Sequence, residues 1–121
     1  MSDESVRKKN IDELRVFFDF EEYVPNIGST GLVDVVTNFM KDYPTYVVTI
    51  EGHTDERDTR EFNLTLGERR ATTVKYMMID GGIDSNRIKT VSYGKERPEY
   101  LGSNSDNWRK NRRVVFVLNK P

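Results

Sequence analysis

Residues 52–71, "GHTDERDTREFNLTLGERRA", hold nine charged side chains and the chain's only histidine in twenty positions. Four kinds of chemistry use such residues. A metal centre is the first, with His53 and Asp55 two positions apart and on one face if a strand runs through them. One histidine and no cysteine in the chain leave nearly every other ligand to carboxylates, which disfavours it. Catalysis is the second, with His53 as base, Asp55 or Asp58 orienting it, and Thr54 or Thr59 as nucleophile. Neighbouring strand residues face opposite ways, so His53 and Thr54 would not easily meet, and neither a nucleophile elbow nor a glycine-rich phosphate loop accompanies them. Solvated ion pairs around a helix start are the third, and they explain any one of these charges taken alone. The fourth is capture of a zwitterion. Asp55 at a strand end would take an ammonium group, and Arg70 on the next helix would take a carboxylate in a two-pronged grip.

These residues need a scaffold, and the patterning supplies one. Leu14–Phe20, "LRVFFDF", is rich in β-branched and aromatic residues and reads as a strand. Apolar residues at 32, 35, 36, 39 and 40 mark one face of a helix, capped by Ser29 or Thr30 and ended before Pro44. Tyr46–Gly52 is a second strand with Tyr46, Val48 and Ile50 on one side. A second helix runs from Asn63 or Thr65 to Ile79. Its start is capped either by Asn63 or by a Thr65–Glu68 box. Leu64, Gly67, Ala71, Val74 and Met78 form its buried stripe, and the small Gly67 and Ala71 let it approach the sheet closely. "RIKTVSYG" is a third strand, "SNSDNWRKN" a loop with a helical turn, and "RRVVFVLN" a fourth strand, apolar on both faces and therefore central. The expectation is a two-layer α/β (α+β) sandwich, βαβαββ, with a mixed four-stranded sheet and two main helices. Residues 1–13 read as a flexible lead-in and 14–121 as one domain.

Composition narrows the function. Nineteen basic and twenty acidic residues nearly cancel, so the excess of a generic polyanion binder is missing and nucleic acid is disfavoured. No apolar run approaches the roughly 20 residues that span a bilayer. The start, "MSDESVRKKN", is polar and shows no signal peptide, so the chain is either cytoplasmic or a mature fragment.

Longer motifs then become recognisable. Thr54-Asp55, Asn63-x-x-Leu66 and Arg70-Ala71-x-x-Val74 stand in the order and spacing of a known signature. "GHTDER", "LGERRA", "VSYGKERP", "KNRR" and the upstream "FFDFEEY" accompany them. Over about residues 14–118 the chain resembles the OmpA-like peptidoglycan-binding domain family, and within it the peptidoglycan-associated lipoprotein (Pal) branch of Gram-negative bacteria. The resemblance implies a periplasmic domain that performs no chemistry and needs no cofactor. It implies non-covalent binding of the diaminopimelate side chain of the peptidoglycan stem peptide. Asp55 would hold that group's amine and Arg70 its carboxylate, with Phe20, Glu21, Thr54, Asn63 and Leu66 lining the pocket. It further implies TolB and other Tol–Pal envelope proteins as partners, and attachment to the outer membrane through a lipidated cysteine upstream of this chain. An alternative is a protein-interaction module whose main ligand is TolB, using Tyr93, Tyr100 and Trp108.

Two departures stand out. Asp58 occupies a position that is usually glycine, where a positive-φ turn is expected, and Glu21 replaces an aspartate. His53 is expected to be structural. The Lys110–Arg113 run is expected to pair with Glu61 or Glu68. Arg70→Ala is expected to weaken binding yet leave a cooperatively melting fold.

Overall fold

The computed structural model describes residues 2–121. Its elements are α1 (Asp3–Glu13), β1 (Arg15–Phe17), α2 (Thr30–Asp42), β2 (Val47–His53), α3 (Arg60–Asp80), β3 (Ile88–Gly94), α4 (Ser105–Asn111) and β4 (Arg113–Asn119). The sheet order is β1-β4-β2-β3. β4 runs antiparallel to both β1 and β2, while β2 and β3 are parallel. The sheet is thus mixed and β4 is central, as its two apolar faces imply.

The core forms where the strand and helix periodicities meet. Tyr46, Val48 and Ile50 are buried on one side of the second strand, against Phe39, Met40, Val74 and Met78 from the helices. Alternation along β4 places Val114, Phe116 and Leu118 in the same core.

Of the expected flexible lead-in over residues 1–13, Asp3–Glu13 form the helix α1 instead, and Met1 lies outside the described residues. Ser2 caps the helix by accepting from the Ser5 N–H, and Asp3 and Glu4 sit favourably in its first turn. Its anchorage is tertiary. Ile11 is fully buried, the Tyr43 and Tyr46 hydroxyls donate to Asp3 and Glu4 at 2.6 and 2.7 Å, and Arg7 bonds Asp42 at 2.8 Å. The first strand is shorter than Leu14–Phe20, because the chain leaves the sheet after Phe17 and only an isolated bridge joins Phe18 to Pro25.

In α2 the buried face is Val33, Val36, Thr37, Phe39 and Met40, and Val35 is exposed. Ser29 stands at the cap position without a capping bond; its hydroxyl accepts from the Phe17 N–H instead. α3 begins earlier than expected. Thr59 is its cap, accepting from the Phe62 N–H, so Asn63 and Thr65 lie inside the helix. Leu64 is only half-buried, and Asn63, Leu66 and Arg70 join Gly67, Ala71, Val74 and Met78 on the buried side.

The close approach of α3 to the sheet has a partner the sequence did not announce. A Cβ placed on Gly52 would collide with the Gly67 backbone carbonyl, and one on Gly67 would collide with the Ser92 hydroxyl. Two glycines, one on β2 and one on α3, therefore bring the helix backbone down onto the strand. This contact fixes where the start of α3 stands relative to the end of β2.

Candidate ligand-binding site

β2 ends at His53, where its register with β3 shifts. The chain then turns through residues 54–59 into α3. Thr54 is held by its N–H to the Gly94 carbonyl at 2.9 Å, and its hydroxyl donates to the Asp55 carbonyl. Asp58 has φ +77°, the left-handed conformation that glycine would adopt freely and that aspartate tolerates better than most residues. Lys95 donates to the Asp58 carbonyl at 2.7 Å, and the Asn63 amide donates to the Arg57 carbonyl at 2.6 Å. Asn63 is thus a brace for this turn rather than a helix cap. Across the site, Glu21 also has a positive φ, +61°, which bends the chain after Phe20.

One pocket collects residues from these three segments: Phe20 and Glu21 after β1, Thr54 and Asp55 after β2, and Asn63, Leu66 and Arg70 on α3. All seven residues singled out from the sequence line it. Arg57, Asp58 and Phe62 line it as well.

The two charged groups at its base are buried. Asp55 is 4% exposed and Arg70 0%. Burial pushes the Asp55 carboxyl up, but hydrogen bonds and charge from Arg57, with a further bond from Arg112, bring it below its usual value. Asp55 is therefore a carboxylate at neutral pH. Burial, with the neighbouring Arg112 charge, pushes the Arg70 guanidinium down to about 10, while Asp55 opposes the fall. Arg70 remains a cation at neutral pH.

Arg70 also braces the fold. It donates from Nε to the Glu22 carbonyl at 2.8 Å, from Nη1 to His53 at 3.0 Å and from Nη2 to Asp19 at 3.2 Å. It ties the β1 loop, the end of β2 and α3 together. Three of its five N–H donors are spent, leaving two for a ligand.

The charges of residues 110–113 go elsewhere than expected. Arg112 lies 3.4 Å from Asp55 and donates to the Phe18 carbonyl. Arg113 lies 3.0 Å from Glu99, and Lys110 sits over the Tyr100 ring. Neither Glu61 nor Glu68 is their partner; Glu68 accepts from Thr72 and from Thr90 of β3, which β2 separates from β4 in the sheet.

His53 faces away from this pocket chemistry. Its ring is buried, packs 5.6 Å from Tyr93 and contacts Glu51 through Nε2 at 3.1 Å. Burial, reinforced by the Arg113 charge, pushes its imidazole down to about 3. At neutral pH it is uncharged, with Nε2–H donating to Glu51 and Nδ1 buried without a partner. The unfolded chain takes up a proton near pH 6.5 that the folded chain refuses until about pH 3. This contribution to stability is complete above pH 6.5 and is lost as the pH falls. Between pH 6.5 and about pH 5, above the range where carboxylates titrate, the loss should be about 2 kcal/mol. Urea unfolding across that window should show this slope in the native protein and a flatter one in His53→Gln.

Among the described residues, no group of three or more histidine, aspartate or glutamate side chains is gathered to hold a metal ion. Among the described residues, no helix is long and apolar enough to cross a membrane.

The comparisons agree with this architecture. The OmpA family model matches residues 17–112. The peptidoglycan-associated lipoprotein of Brucella melitensis is 41% identical over 105 residues, covering 87% of this chain and 62% of that protein. The chain thus spans a little under two thirds of that relative's length. The Pasteurella multocida peptidoglycan-associated lipoprotein is 39% identical over 84% of this chain and 68% of its own. The crystal structure of the peptidoglycan-associated lipoprotein from Burkholderia pseudomallei superposes with a TM-score of 0.83 at 35% identity, over 87% of this chain and 89% of that one. The C-terminal domain of Helicobacter pylori MotB shares the fold, with a TM-score of 0.81 at 20% identity over 89% of this chain and 85% of that one. With a match running from the first strand to the last helix, and relatives that share its sequence over the same span, the chain belongs to the OmpA family.

Proposed function

We propose that this domain binds the diaminopimelate-containing stem peptide of peptidoglycan and tethers the outer membrane to the cell wall. The observation that carries the reading is the pairing, in one pocket, of a buried carboxylate, Asp55, with a buried guanidinium, Arg70. Asp55 takes the ligand's ammonium. The two remaining donors of Arg70 take its carboxylate. Thr54, Asn63 and Leu66 shape the wall, and Phe20 and Glu21 close the side nearest β1. The domain recognises its ligand and performs no reaction on it. It works in the periplasm, joined to the outer membrane by a lipid anchor outside this chain, and within the Tol–Pal system.

Selectivity resides at the carboxylate. A lysine-type stem peptide has the side-chain amine but lacks that carboxylate, so Arg70 keeps two buried donors unpaired. The expected loss is about 2 kcal/mol, or roughly thirtyfold. Calorimetric titration with diaminopimelate-type and lysine-type muropeptides checks this, and equal affinities would remove the reading. Asp55→Asn should weaken the diaminopimelate ligand to a similar degree.

A second reading, an interaction module for an envelope protein such as TolB, is favoured by the loop after β1. Tyr23, Val24 and Ile27 are exposed there, Ile27 at 93%. Of the aromatic residues first considered for such a surface, Tyr93 packs on His53 and Trp108 is half-buried; Tyr100 remains open. Pull-down of TolB with and without soluble stem peptide tells whether the two ligands exclude each other.

A further inference from the structure

The pocket between Asp55 and Arg70 holds a cavity of only about 10 Å³, room for one water molecule and far too small for an amino-acid head group. What fills it is Arg57. Its Nη2 lies 2.8 Å from one Asp55 oxygen and its Nε 3.2 Å from the other, a two-pronged ion pair with a carboxylate that is itself buried. The same guanidinium lies over two aromatic rings, 3.9 Å from the centre of Phe20 and 4.3 Å from that of Trp108. It is thus a cation seated on the carboxylate that the ligand's ammonium needs. We infer that Arg57 is a built-in stand-in for that ammonium, so that ligand entry is an exchange of cations on Asp55 and the displaced guanidinium becomes an additional receptor for the ligand's carboxylate. The inference rests on the diaminopimelate reading given above.

The surroundings permit this exchange without unfolding the turn. The Arg57 backbone is held at both ends, its N–H by Asp55 at 3.0 Å and its carbonyl by Asn63 at 2.6 Å. Its side chain is 34% exposed, so rotation about the side-chain bonds is enough to lift the guanidinium to the pocket rim. A ligand with only an ammonium must break the Arg57 pair and offers it nothing in return. A ligand carrying both charges provides the displaced arginine with a new partner. Arg57 thereby adds to the selectivity that Arg70 provides, at the entrance rather than the base.

Trp108 is the only tryptophan in the chain and reports directly on the stacked cation. Three measurements with a diaminopimelate-type muropeptide test the inference: calorimetric affinity, tryptophan emission at saturation, and label-free association and dissociation rates on immobilised muropeptide. Native protein should bind, and its emission should shift on saturation as the guanidinium leaves the ring. Arg57→Ala should associate about tenfold faster, because no ion pair or stacking contact has to open. It should also dissociate faster and lose the emission shift. Arg57→Lys keeps the charge but loses the fork, and should fall between the two in association rate. Failure of native protein to bind the muropeptide would overturn the functional reading itself. Binding with unchanged Trp108 emission, or with Arg57→Ala no faster than native, would overturn the exchange alone. A lysine variant as slow as native would also overturn it, by showing that charge and not docking is the brake.

Discussion

Replacing Arg70 by alanine should lower the unfolding free energy by about 3–5 kcal/mol, a loss comparable to breaking a buried ion pair. Three backbone carbonyls, at Asp19, Glu22 and His53, lose the Arg70 donor together, though Asp19 keeps the Glu22 N–H and both it and Glu22 lie at the surface, where water can replace the lost bond. The buried His53 acceptor left unpaired costs about 1–3 kcal/mol, and the truncated, fully buried side chain leaves a cavity in addition. The desolvation of the guanidinium is recovered, which keeps the total below the simple sum. Thermal unfolding should show a midpoint about 10–20 °C lower. Amide exchange should rise first at residues 19–23, the loop that Arg70 ties to the sheet. The binding reading suggested a variant that loses ligand while its fold still melts cooperatively. The geometry adds that the melting moves to lower temperature, so Asp55→Asn is the cleaner probe of ligand capture.

Gly52→Ala should cost about 3 kcal/mol or more, and Gly67→Ala less, because its tightest contact is with the Ser92 hydroxyl, which can rotate aside. A methyl group at residue 52 meets backbone rather than a side chain, so no rotamer change can relieve it and the helix must move. Moving α3 away from β2 also shifts Arg70 relative to Asp55, so the variant should lose ligand affinity together with stability. Gly31 provides the control. Its added Cβ would meet nothing within 4 Å, in the first turn of α2, where alanine is the better helix former. Gly31→Ala should be neutral or stabilising by up to about 1 kcal/mol. Urea denaturation of the three variants side by side checks both halves of the argument.

The second strand was legible because Tyr46, Val48 and Ile50 obey a two-residue period that only one sheet face can satisfy. The face of α2 was not, because its apolar residues fit two helical registers. Tertiary packing selects the one containing Val33 and Thr37, the latter acceptable in the core because its hydroxyl donates to the Val33 carbonyl. α1 was missed for a related reason: its sequence is polar apart from Val6 and Ile11, and much of its support comes from Tyr43 and Tyr46, some forty residues away. At the site, Asp55 and Arg70 were legible through their motif, and so was the need for a positive φ at residue 58. Arg57 was not. It lies two residues from Asp55, but nothing local says that its guanidinium turns back onto that carboxylate between two aromatic rings, one from the loop after β1 and one from α4. Arg112 reaches Asp55 only through the strand order of the sheet.

That strand order has a bearing on how the molecule is made. β4 comes last in sequence yet lies between β1 and β2, so β1 has no strand to pair with until residues 113–115 arrive. A chain emerging from the ribosome can assemble the β2–α3–β3 unit from neighbouring segments, while its first strand waits. Completion of the sheet, and with it the seating of Arg112 beneath Asp55, belongs to the moment after synthesis has passed the final strand.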